Sequence, residues 1–151
     1  MNVYHSIEEV QSNKCFLCRP IPNKFYNYIH FYKLSYNLLS FTLNSILIWI
    51  ELKHFTIKEL SDQCVITYTM DEEFLQKIIH FETELLQQFN HTLHKKIQLP
   101  SYDTKHLFYS KNKLDKIDKL DKFRLFFRIS GVWESETHIG ITSKIDIYPS
   151  T

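Results

Sequence analysis

The sequence predicts an α+β domain. Three observations carry that reading: strand-forming runs crowd residues 25–70, one strongly patterned helix follows, and paired strand runs return near the end. At 151 residues, with 44% apolar composition, a single buried core is the default expectation.

Taken in order, residues 1–24 read as an N-terminal arm with a short helix near residues 6–11. Pro20 and Pro22 hold the chain extended and mark the start of a domain over residues 25–151. Strand runs follow at 25–32, 39–43, 46–50 and 64–69, with breaks at Asn37, Asn44-Ser45 and Ser61-Asp62. Thr69 and Glu72 have the spacing of a capping box, and Asp71, Glu72 and Glu73 suit the positive end of a helix dipole. Apolar residues at 74, 75, 78, 79, 81, 85, 86 and 89 then form one stripe, so the helix is placed at 71–90. Residues 114–123 repeat an apolar-Asp-Lys triplet that suits a short helix, a helical turn or a loop. Residues 123–129 and 139–148 read as a β-hairpin, with the polar residues 134–137 as its tip. Strands, helix, basic connection and hairpin in that order fit an OB-like five-stranded barrel with one helix between strands 3 and 4. A plain helix-on-sheet domain fits the same order.

Composition removes several function classes. The chain holds only Gly131 and Gly140, from which no Gly-rich phosphate loop can be written. The net charge of +1 supplies no global field toward nucleic acid or membrane, but charge is locally polarised. Residues 105–128 carry eight basic and three acidic side chains, and residues 71–90 carry five acids and one lysine. No stretch has the length of a membrane span, residues 1–9 lack the pattern of a secretory signal, and Cys15, Cys18 and Cys64 give an odd count. An intracellular protein of cytoplasm or nucleus, with reduced thiols, is therefore expected.

Catalytic and metal signals are thin. Cys15-x-x-Cys18 and His91-x-x-His94 invite a zinc reading, but the histidine spacing is one residue short and two buried thiols explain the cysteines. Glu134, Glu136 and His138 share a segment that reads as a solvated hairpin tip. Neither an enzyme, a cofactor nor a metal site is expected. Aromatics, at 15% of the chain, are more telling. Tyr28, Tyr32, Lys33 and Trp49 interleave rings with a cation, while Arg124 and Arg128 share one strand face, with Trp133 near Arg128 in sequence. Rings that stack under bases and cations that hold phosphates are what single-stranded nucleic acid requires. An aromatic-rich strand packed into the core is the competing structural reading.

The run Phe127-Arg-Ile-Ser-Gly-Val-Trp-Glu-Ser-Glu-Thr-His-Ile-Gly-Ile-Thr-Ser-Lys-Ile resembles the closing hairpin of OB-fold single-stranded-DNA-binding proteins of tailed phages, large DNA viruses and related mobile elements. The resemblance covers about twenty residues plus element order, and it carries over Gly131, Trp133, Gly140 and Lys144 as pattern positions. Phage members of that group end in an acidic tail that recruits replication proteins; no such run follows Tyr148. The resemblance implies sequence-tolerant binding of single-stranded DNA in replication or recombination. The contacts expected are Tyr28, Tyr32, Lys33, Trp49, Arg124, Arg128, Trp133 and Lys144. The alternative is a non-enzymatic structural or protein-interaction subunit, with a homo-oligomer among its forms, that turns the same rings toward protein.

Overall fold

A computed structural model of the chain describes residues 3–22, 29–59, 63–100, 105–110 and 122–150. The segment read as an arm supplies strands: β1 (Tyr4–His5), a 3₁₀ turn at Ser12–Lys14, β2 (Cys15–Leu17) and β3 (Ile21–Pro22). Then come β4 (His30–Asn37), β5 (Thr42–Asn44), β6 (Ile46–Glu51), β7 (Phe55–Glu59) and β8 (Gln63–Tyr68). Ser45, at φ 69°, makes the break between β5 and β6. After α1 (Glu72–Leu93) follow β9 (Lys96–Gln98), β10 (Lys105–Ser110), β11 (Lys122–Glu134) and β12 (His138–Ser150).

The helix lies where its apolar stripe requires, with Phe74, Ile78, Phe81, Leu85 and Leu86 buried. Its cap differs from expectation: the Asp71 side chain, not Thr69, accepts the Glu73 amide at 3.2 Å. His94 ends the helix in the left-handed region, and its amide bonds to the Asn90 carbonyl. The Asn90 side chain then accepts from Lys95 N and donates to Lys95 O, both at 2.7 Å, which fixes the direction in which Lys95 leaves the helix.

The expected five-stranded barrel is overturned. The fold is mostly β, at 53% strand, with one helix, a mixed sheet of nine strands and no closed barrel among the described residues. The reason lies in β11, which is long enough to divide one edge between two partners. Residues 124–129 pair with β6, and residues 131–134 pair with β4. Along its other edge β11 pairs with β12 from Lys122↔Ser150 to Glu134↔Ile139, the hairpin that the sequence predicts. The sheet is further extended by β1, parallel to β6, by β9, parallel to β12, and by β2, β3 and β5 around β4. A second antiparallel sheet, β10-β8-β7, is joined to the first where Phe55 meets Phe123 edge to face at 5.0 Å. The apolar-Asp-Lys triplets up to residue 121 and the break at Ser61-Asp62 lie outside the described residues, and Lys122 and Phe123 open β11.

The core occupies one face of the large sheet. Phe123, Leu125, Phe127 and Ile129 of β11 are fully buried there, with Ile46 and Ile48 of β6, Ile147 of β12 and the apolar stripe of α1. Burial of this kind stabilises by roughly 25 cal/mol per Å² of apolar surface. No helix of the described residues is long and apolar enough to cross a membrane.

Candidate nucleic-acid interface

Period-2 alternation sends every second side chain of β11 away from the core. Cross-strand register then fixes what lies beside each one. Arg124 stands between Glu51 and Tyr148, Phe126 between Trp49 and Asp146, and Arg128 between Leu47 and Lys144. An extra residue at Ser130 shifts the register, after which Gly131 pairs with Thr142 and Lys33, and Trp133 with Gly140 and Phe31. This outer face therefore gathers Lys33, Lys122, Arg124, Arg128 and Lys144 against two carboxylates, Glu51 and Asp146.

Rings cover the same face. Tyr4, half exposed, meets Phe126 with centroids 4.9 Å apart, and Phe126 meets Tyr148, also half exposed, at 5.4 Å. The Arg124 guanidinium lies 4.6 Å above the Trp49 ring and reaches Glu51 only at 3.9 Å, beyond hydrogen-bonding distance. Both glycines of the chain lie here, each beneath a ring: a Cβ on Gly131 would strike the Phe31 ring and the Tyr32 carbonyl, and one on Gly140 would strike the Trp133 indole.

Six of the expected contact residues thus share one face: Lys33, Trp49, Arg124, Arg128, Trp133 and Lys144. Two findings stand beside them. Arg124 packs on the Trp49 indole, a pairing across strands that sequence proximity does not mark. Tyr32 lies on the opposite face, paired with the buried Val132 and partly buried against the core. Tyr28 lies outside the described residues. Phe126, Tyr148 and Tyr4 were missed. Alternation between Arg124 and Arg128 marks Phe126, and alternation beyond Ile145 marks Tyr148, whereas nothing local marks Tyr4.

Tyr32 instead belongs to a cluster on the core side of the β4–β11 seam. Its hydroxyl donates to Glu134 Oε1 at 2.8 Å, His30 Nδ1 lies 3.1 Å from the same oxygen, and Lys95 Nζ lies 3.6 Å from Oε2. Lys95 also donates to the carbonyls of Ser135 and Glu136 at 3.1 and 2.7 Å. Glu134 is buried, so the solvated-tip reading of this residue fails. Burial alone would raise its pKa, but the Tyr32 and His30 hydrogen bonds and the Lys95 charge together hold it below the ordinary carboxylate value. Burial, and then the bond to Glu134, push the Tyr32 hydroxyl up to about 12. A carboxylate kept ionised by several donors is a clamp between strands and a poor general base.

Cys15 is buried, and burial pushes its thiol up to about 12, while Cys18 is exposed with Sγ 3.2 Å from Ser35 Oγ. Among the described residues no group of three or more His, Cys, Asp or Glu side chains is arranged to hold a metal ion. Comparison with protein-family models, curated proteins and solved structures finds no match for this chain.

Proposed function

We propose that this chain binds single-stranded nucleic acid, DNA in the first instance, on the outer face of the β6-β11-β12 sheet. One observation carries the reading: strand register sets Arg124, Arg128 and Lys144 among Trp49, Phe126 and Tyr148 on a single face directed away from the core. The half-exposed Tyr148 and the partly exposed Trp49 and Phe126 offer stacking surfaces that accept any base, each stacked base being worth ~1–3 kcal/mol. The cations track the backbone, and Arg124, loosely held by Glu51, can turn its NH groups to a phosphate. The surface is an open sheet and not a barrel groove, and its chemistry favours little sequence preference. Fluorescence anisotropy with labelled oligothymidylate over a salt series tests it. Binding that weakens linearly in log-log form as salt rises is expected, and no binding at the lowest salt ends the proposal.

A second reading has one observation in its favour. Glu51 and Asp146 stand within the face, and Asp146 lies 3.7 Å from Lys144, a mixed surface that also suits a protein partner. Capture of a protein that resists salt and ignores added oligonucleotide would select it.

A further inference from the structure

The outer edge of β12 carries a self-complementary charge pattern. On the side away from β11, β12 pairs with β9 only at residues 138–140. Among the described residues no strand pairs with that side over residues 141–149, which leaves a row of backbone donors and acceptors unmatched along ~30 Å of strand. We propose that a second copy of this chain fills it, the two β12 strands pairing antiparallel about a twofold axis at Ile145.

The argument for that occupant is register and charge. With Ile145 opposite itself, Lys144 falls opposite Asp146 of the partner subunit, and Asp146 opposite the partner subunit's Lys144. Thr142 meets Tyr148 of the partner subunit on the same face. Lys144 is largely exposed and its 3.7 Å approach to Asp146 within the chain is weak, so both charges are free to re-pair across the axis. Half-buried Ile145 would meet its twin on the core side. Lysine and proline are also the residues with which edges are blunted, and Pro149 is one of them. In this register, however, the Pro149 of each copy falls at an end of the ladder opposite Ile141, where a missing N–H costs at most one terminal bond at each end. Because the axis runs perpendicular to the sheet, the outer faces of both copies point the same way and join into one surface. The pairing stands independently of what that surface binds.

Sedimentation velocity over a concentration series, on the full chain, tests it by charge exchange. The parent chain dimerises. Lys144→Asp sets two carboxylates opposite each other on both sides of the axis, and Asp146→Lys sets two ammonium groups there; each raises the dissociation constant roughly tenfold or more. The double variant Lys144→Asp/Asp146→Lys restores the parent value. A chain that stays monomeric at every concentration overturns the proposal, as does a dimer indifferent to both single changes or one that the double exchange fails to restore. Cross-linking gives a second readout should a charge variant fold poorly. Directly paired strand residues have Cα atoms ~4.5–5.5 Å apart, within disulfide reach. Ile145→Cys should therefore give a covalent dimer under mild oxidation, above the background of the parent's own thiols, while Ser143→Cys should not. Equal yields from the two overturn the register.

Discussion

Tyr32 and Glu134 are joined by a 2.8 Å hydrogen bond between chain positions 102 residues apart. The bond closes the seam where β4 takes over the edge of β11 from β6, and Lys95 ties the same carboxylate to the exit of the helix.

Loss of the carboxylate charge should therefore be felt at neutral pH. Glu134→Gln is expected to lower stability by about 2 kcal/mol, the scale of a buried hydrogen bond to a charged group. The folded-state pKa of Glu134 is depressed, so its contribution is complete above the ordinary carboxylate value and is lost as pH falls through the folded value. Urea denaturation of parent and variant across the acid range should show the gap between them closing as pH drops.

Tyr32→Phe probes the opposite limb. With the hydroxyl pushed up to about 12, its contribution is complete below the ordinary tyrosine value near 10 and is lost as pH rises through about 12. The variant should be about 1.5 kcal/mol less stable at neutral pH and should converge on the parent in alkali. A constant gap across that range would remove the hydroxyl from the clamp.

The two glycines should differ in how readily they are repaired. For Gly140→Ala the nearest obstacle is the Trp133 indole, so a cost of ~1–3 kcal/mol is expected, with recovery when Trp133→Leu is added. Gly131→Ala also meets the Tyr32 carbonyl, a backbone group, and Phe31→Ala should leave most of its cost in place. Thermal unfolding of the four variants decides this.

At the start of the helix, Asp71→Ala should cost about 1 kcal/mol and Thr69→Ala only a few tenths, because Asp71 caps the Glu73 amide. Equal losses in a denaturant titration would return the cap to Thr69.

On the proposed binding face, Arg128→Ala should weaken oligonucleotide binding and reduce the magnitude of the salt slope by about 0.7, the value for one phosphate contact on a single strand. Tyr148→Ala should cost ~1–3 kcal/mol while leaving the slope unchanged. Lys77→Ala, on the helix between Glu8 and Glu73, should alter neither. Equal effects from all three would detach the activity from this face.

Local patterns were legible in the sequence, and pairings across the chain were not. The helical stripe from Phe74 to Phe89 and the alternation of Phe123, Leu125 and Phe127 are encoded within a few residues, so α1 and the β11–β12 hairpin could be read directly. Element order says nothing about which edges meet, and so the barrel was expected where β11 instead serves two partners in succession. Tyr4 and His5 join β6 through a parallel match two residues long, too short to leave a periodic trace. Glu134 looked solvated because its neighbours Ser135, Glu136 and Thr137 are polar, while the groups that bury it, Tyr32, His30 and Lys95, come from distant segments. The face itself was half legible: period 2 groups Arg124 with Arg128, but only register brings Trp49 and Lys144 beside them.

The divided edge of β11 also sets an order of assembly. During synthesis the ribosome releases β4 and β6 long before β11, and each then presents a strand edge that only residues 124–134 will close. The first half of the chain must linger partly open, since its completing contacts bridge about seventy to one hundred positions and long closures are slow. Nascent chains halted ahead of Lys122 should for that reason be the aggregation-prone species, and those carrying the whole hairpin should escape it.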